Sequence, residues 1–317
     1  MLDNNKKFLL RNEIGAYMTD LGNRDDKVVV VNADLSGTCR NKDFVEKFPE
    51  RSFNVGIAEQ NLVSFAAGLA HEGFKLYTFT MAPFLTMRAC EQCRTDVAYA
   101  NLSVRLIGVY AGMSGGISGA THWAIEDCGI MTSIPNMRVF EVSDVLQAKR
   151  ILDATLEIQG PVYIRTTVEP VCNFYHDDFI FKEGGSYKLS EGNDGTILCC
   201  GVTLQYAVEA ARKLKESHGL NISVIDMYSI KPIDNEAFLS ACKTKNILVV
   251  QDHNIYGGLG SMVSQVIAES GFAVNFKILG LNDEFMAMAH APYLYKICEI
   301  DTLGIMKNMI ELLNRNN

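Results

Sequence analysis

The sequence predicts an α/β protein of two domains, each a mostly parallel sheet covered by helices. Three observations carry that expectation. Lys27–Asn32 contains four consecutive valines, the unbroken β-branched run of a strand buried on both faces. Strand-like runs then alternate with helical stretches as far as Arg165. After a break over 169–195, a second series of the same kind begins at Thr196. With 317 residues there is room for two domains of ordinary size.

Following the valine run, Gln60–His71 reads as a helix packed closely through Ala66, Ala67, Gly68 and Ala70. Leu76–Phe79 reads as a strand, Met87–Ala100 as a helix and Val104–Tyr110 as a strand. Met137–Phe140, a helix over Val145–Ile158 and a strand over Val162–Arg165 complete the first series. The stretches Asn173–Asp178 and Glu183–Gly185 lack any helical period and read as a linker crossing the surface. The expected division is therefore a first domain over 1–170, a linker over 171–195 and a second domain over 196–317. In the second domain, strands are expected at Thr196–Cys200, Ser223–Met227, Ile247–Gln251 and Asn275–Leu279. Helices are expected at Leu204–Ser217, Gly260–Ser270 and Leu303–Leu313. No short-period repeat or low-complexity tract is present.

Composition narrows the function. The formal net charge of −8 argues against general affinity for nucleic acid or anionic membranes. Met1–Lys7 is polar and charged with no apolar run behind it, so no signal peptide is expected. No apolar run approaches the roughly 18 residues a membrane span needs. Nine cysteines at irregular spacing, two of them adjacent at Cys199 and Cys200, read as reduced packing thiols and point to the cytoplasm. The lone Cys90-Glu-Gln-Cys93 has no second pair nearby and reads as packing too.

In α/β proteins, ligands bind at the loops beyond the carboxyl ends of the strands. Here those loops are Asn32–Ser36, Met81–Phe84, Ala111–His122, the strand end at Arg165 and, in the second series, Asp252–Gly260. Glu59 lies where a turn feeds an apolar helix. As an anonymous glutamate it would simply complement the helix dipole. Its flanks are small or apolar, from Val55 through Ala58 and again at Leu62 and Val63. A carboxyl held there is poorly solvated and can share a proton with a ligand nitrogen. His122 closes a loop containing Gly112, Gly115, Gly116 and Gly119, where backbone can approach a ligand closely. Phe79 and Phe84 flank the preceding strand end. Glu126 and Asp127 read as helix-start residues, and Gly257–Ser261 as a tight strand-to-helix turn.

Gly56-Ile-Ala-Glu-Gln-Asn61 resembles the segment of transketolases whose glutamate binds the aminopyrimidine of thiamine diphosphate. Further matches occur in the same order: Arg88-Ala-Cys-Glu-Gln92, Gly119-Ala-Thr-His122, Glu126-Asp127, Ile134-Pro-Asn-Met137 and Gly160-Pro-Val-Tyr-Ile-Arg165. The resemblance covers nearly the whole chain. It implies a pyrimidine-binding domain followed by a transketolase C-terminal-like domain. It also implies that Glu59 activates the cofactor and that an aromatic ring stacks on the pyrimidine, Phe84 in preference to Phe79. His122 would meet sugar hydroxyls and relay protons, while Arg165 and Arg11 would hold the substrate phosphate. Two positions depart from the family pattern. Ser118 stands where many transketolases have Asp, and Tyr110 where many have His. Both family positions touch substrate hydroxyls, so the departures imply a different sugar preference.

The Gly-Asp-Gly segment with which the family binds the cofactor's diphosphate and Mg²⁺ does not occur in this sequence. The resemblance therefore implies a separate N-terminal transketolase subunit that supplies that half, with two of each chain in a heterotetramer acting on phosphorylated sugars. The rivals are a 2-oxo-acid dehydrogenase β-like subunit, a deoxyxylulose-phosphate-synthase-like enzyme and a non-catalytic assembly subunit.

Overall fold

A computed structural model describes residues 6–316. The first domain is built on a seven-stranded sheet. Its order across the sheet is Ser229–Lys231, Arg138–Glu141, Val162–Thr166, Val104–Val109, Lys75–Met81, Val28–Asn32 and Ser52–Asn54. All neighbours are parallel except the pair Ser229–Lys231 and Arg138–Glu141. The valine run is buried throughout, as a central strand requires. Alternation sends Tyr77 and Phe79 to one face of their strand and Leu76, Thr78 and Thr80 to the other.

The second domain carries a five-stranded sheet in the order Asn275–Leu281, Asn246–Asn254, Gly195–Cys199, Ile222–Asp226 and Tyr187–Ser190. Only Tyr187–Ser190 runs antiparallel, on the edge. Helices Thr203–His218, Leu259–Ser270 and Thr302–Leu313 pack against it.

The expected strands are present, and the features that differ from the sequence reading include the following. Leu10–Arg24 is a helix that was not expected. Leu10, Ile14, Met18 and Leu21 supply its buried stripe. The stretch expected as one helix from Met87 is broken into wider π-helical turns over Phe84–Arg88 and Cys93–Tyr99, with a single α-turn between them. The segment read as a surface linker buries Tyr175 and Phe179, and its Tyr187–Ser190 portion joins the second sheet. Finally, Ser229–Lys231 lies beyond the second domain's expected boundary yet completes the edge of the first sheet.

A buried polar network ties the two domains together. Arg165 donates from Nε to Asp127 Oδ2 at 2.8 Å and from Nη2 to Asp127 Oδ1 at 3.1 Å. Its Nη1 lies 2.6 Å from Glu141 Oε1. From the second domain, the Asp252 carbonyl accepts from Arg165 Nη2 at 3.1 Å, and Gln251 Nε2 donates to Glu141 Oε2 at 2.8 Å. His253 Nε2 lies 3.6 Å from Asp127 Oδ1. The glycine turn after His253 also packs on the first domain. A Cβ on Gly257 would clash with the backbone of Gly129.

Candidate active site

The turn that delivers Glu59 is organised by Asn54. Its Oδ1 accepts from the Asp34 N–H at 2.9 Å and from the Gly56 N–H at 3.1 Å, while its Nδ2 donates to Asp34 Oδ1 at 3.0 Å. Gly56 sits at φ +77°, a conformation that costs a residue with a Cβ far more. The chain then enters the helix Glu59–His71 with Glu59 as its first residue. That residue is 1% exposed, beneath the carboxyl end of the strand Lys75–Met81.

Two groups meet the Glu59 carboxyl. Arg88 Nη1 donates to Oε2 at 2.6 Å, and Thr80 Oγ1 donates to Oε1 at 3.5 Å. Arg88 is half exposed and carries its charge from the surface to a buried acid. Its guanidinium also lies 4.5 Å from the centre of the Phe84 ring, a cation–π distance. The Phe84 ring in turn meets the His122 ring edge-on, with centroids 5.3 Å apart at 68°. Glu59, Arg88, Phe84 and His122 thus form one contiguous series running from the core to the surface. His122 is half-buried, and its Nδ1 lies 2.9 Å from Thr121 Oγ1.

The loop bearing His122 is closed at its base by reciprocal bonds between Gly112 and Ala124, each 2.9 Å. Trp123 is buried and donates from Nε1 to the Gly116 carbonyl at 3.0 Å. Arg11, on the helix Leu10–Arg24, reaches the start of the same loop, with Nη1 3.4 Å from the Tyr110 hydroxyl. Its Nε is buried and has no hydrogen-bond partner among the described residues.

Of the residues expected from the sequence, the structure brings together Glu59, Phe84 and His122, with Arg11 alongside the His122 loop. It does not bring Phe79 or Arg165 to them. Phe79 is fully buried in the core on the sheet face opposite Thr80, so the aromatic that meets Arg88, Glu59's partner, is Phe84. Arg165 is completely buried and engaged by Asp127 and Glu141. A phosphate could reach it only by displacing one of those carboxylates, which corrects the phosphate role expected of it. Asp127 starts the helix Asp127–Ser133, as expected, and is also Arg165's principal partner. Sequence reasoning also gave no role to Arg88, although it lies in a motif quoted for the resemblance. No local pattern showed that its side chain turns back onto Glu59.

One further cluster, Asp127, Cys128 and His253, has ligand-type atoms within 4.8 Å of one another. Arg165 already occupies Asp127, and a cation there would sit beside that fixed positive charge. The packing of Cys90–Cys93 agrees with a structural role, since Cys93 is buried with its Sγ donating to the Leu85 carbonyl at 3.7 Å. No helix among the described residues is long and apolar enough to cross a membrane.

Doubly layered α/β domains with a buried carboxylate at the carboxyl end of the first sheet define a recognisable class, and comparison with known proteins identifies it. Residues 6–172 match the family model for the transketolase pyrimidine-binding domain, and residues 184–305 match that for the transketolase C-terminal domain. The chain belongs to the transketolase family. It is 38% identical over 286 residues to an apulose-4-phosphate transketolase subunit of Actinobacillus succinogenes, covering 90% of this chain and 91% of that protein. It is 36% identical over 309 residues to a putative transketolase C-terminal section of Methanocaldococcus jannaschii, covering 96% of each. A 6-deoxy-6-sulfo-D-fructose transketolase subunit from Clostridium sp. is 32% identical over 309 residues, covering 97% of this chain and 95% of that one. Among solved structures, a split-gene transketolase described as an inactive β4 tetramer superposes with a TM-score of 0.87. That match has 34% identity and covers 98% of this chain and 99% of that one. Transketolase from Campylobacter jejuni shares the fold at a TM-score of 0.82 and 17% identity, with 47% of its chain covered.

Proposed function

We propose that this chain is the C-terminal subunit of a two-chain transketolase that moves a two-carbon ketol unit between phosphorylated sugars with thiamine diphosphate. The observation that carries this reading is the Glu59–Arg88–Phe84–His122 series. A buried carboxyl, a half-buried aromatic ring and a half-buried imidazole are linked through Arg88 at one strand end. That donor set fits an aminopyrimidine, which needs one buried acid at a ring nitrogen and a flat apolar contact.

When bound, thiamine diphosphate supplies the nucleophilic carbon that carries the transferred fragment. Glu59 Oε1 or Oε2 would hold the proton shared with the pyrimidine, and Arg88 would steady the carboxylate between turnovers. Phe84 would orient the ring and keep water from the Glu59 side. His122, at the outer end of the series, would bind sugar hydroxyls and move a proton through Nε2. Arg11, on the flank of the same loop, would hold the sugar phosphate. Ser118 and Tyr110, at the family's hydroxyl-contacting positions, would shift the choice of sugar. The relatives named for apulose-4-phosphate and 6-deoxy-6-sulfo-D-fructose support a specialised substrate. The diphosphate and Mg²⁺ would be held by a cytoplasmic N-terminal partner chain, assembled with this one as a heterotetramer.

The experiment is co-expression with a candidate N-terminal transketolase chain, followed by thiamine-diphosphate titration and an assay for ketol transfer. Tight cofactor binding and transfer are expected only for the pair. Full-strength binding by this chain alone would overturn the shared site.

A further inference from the structure

We infer that Asp252 of the second domain is a positioning residue for the loop that carries His122. The inference rests on the reading of His122 as a substrate-contacting group. Its basis is the way the loop is anchored. The Met113 N–H donates to Asp252 Oδ1 at 2.9 Å, and the Tyr295 hydroxyl donates to Asp252 Oδ2 at 2.9 Å. Both Asp252 and Tyr295 are buried, so the carboxylate is held between one domain's backbone and the other domain's phenol. The fit allows no slack. Gly112, at φ +61°, lies so close that a Cβ there would collide with the Asp252 carboxylate.

The rest of the loop is fastened to the same domain. Arg165 Nη2 donates both to the Ala124 carbonyl and to the Asp252 carbonyl, each at 3.1 Å, linking the loop's exit to the strand that carries Asp252. The Asn254 N–H donates to the Ile125 carbonyl at 2.9 Å. A Cβ on Gly116 would come within 3.3 Å of the Ala289 carbonyl and the Ala291 nitrogen. Both ends and the crown of the loop therefore bear on the second domain, while His122 itself stays partly accessible. Among the described residues, no second-domain side chain is bonded to the Glu59 series. That domain's contribution to the site is the geometry of this loop. Small displacements of a group meeting the reacting molecule are costly, on the order of 100-fold for about 1 Å.

Trp123, the chain's single tryptophan, lies in this loop next to His122 and reports its order without any need for activity. The test compares Asp252→Ala, Asp252→Asn and Tyr295→Phe. Trp123 emission and acrylamide quenching are measured on the chain alone, and kcat and KM on the chain paired with its N-terminal partner. In Asp252→Ala, a red-shifted and more quenchable Trp123 is expected, with kcat down on the order of 10- to 100-fold and KM for the cofactor nearly unchanged. Asp252→Asn keeps an oxygen for Met113 and should restore most of both signals. Tyr295→Phe should fall between them, and it keeps the inference testable if Asp252→Ala does not fold. Unaltered Trp123 behaviour, or a loosened loop with wild-type kcat, would overturn the inference. If the wild-type pair shows no ketol transfer, the proposed function fails, and the Trp123 comparison alone decides whether Asp252 orders the loop.

Discussion

Arg88 reaches back from the surface to place Nη1 2.6 Å from Oε2 of the buried Glu59. The pair is asymmetric, since the acid is 1% exposed and the guanidinium 47%. A buried carboxylate with no counter-charge is costly, and this contact offsets that cost while leaving Arg88 in touch with the surface. On the proposed function, this arrangement would keep the Glu59 carboxyl ready for a ligand nitrogen.

Replacing Glu59 with Gln tests the acid itself. The amide preserves shape but cannot exchange a proton, so ketol transfer by the reconstituted pair should fall by more than roughly 100-fold, the scale of lost acid–base catalysis. Circular dichroism and the melting temperature should match wild type. Near-normal turnover would remove Glu59 from this role.

Arg88→Ala strips the counter-charge. Stability should drop by about 1–3 kcal/mol in urea titration, the cost of leaving a buried group without its partner. Arg88→Lys should recover part of that loss. An Arg88→Ala chain as stable as wild type would mean that Glu59 finds another partner.

Arg165→Met separates a structural role from a phosphate-binding one. With Asp127 and Glu141 left unpaired in the core, a loss of about 3–5 kcal/mol is expected by chemical denaturation. A variant of unchanged stability that instead raised KM for phosphorylated substrates would restore Arg165 to the substrate site.

Asp226 gives a pH signature. Burial pushes its carboxyl up to about 7 from 3.8, against hydrogen bonds from Tyr175 and Gln147 that favour the charged form. Because the folded pKa lies above the unfolded one, the folded state binds the proton more tightly. Its contribution to stability is complete at low pH and is lost as pH rises through about 7. Asp226→Asn, neutral throughout, should be more stable than wild type, by a margin that grows by about 1–3 kcal/mol between pH 5 and pH 8. Equal stability at both pH values would show that Asp226 ionises at no cost in the fold.

Much of the fold was legible in the sequence because buried parallel strands announce themselves. Val28–Asn32 and Val104–Val109 need little more than their apolar runs to be recognised. The helix Leu10–Arg24 was legible in principle from Leu10, Ile14, Met18 and Leu21, but its start carries no side-chain cap to mark it. Glu59, Phe84 and His122 could be named because each lies in a distinctive local string. The partners that determine their setting could not. Arg88 meets Glu59 across 29 residues, and Asp252 meets Met113 across 139. Such pairings depend on sheet order, which local patterns do not encode. Arg165 went astray for the same reason, since only the folded chain shows Asp127 and Glu141 converging on it.

The short strand Ser229–Lys231, borrowed by the first sheet from the far half of the chain, has a consequence for modularity. A polypeptide cut near Gly195 would strip the first sheet of its outermost ribbon, leaving the Arg138–Glu141 edge free to pair with other chains, and would deprive Arg165 of a carbonyl ligand. The two halves look like beads on a string in sequence, yet they are stitched together. Any engineered exchange of the second half with a relative must carry that stitch across intact, or the pocket built on the first half will be inherited without its frame.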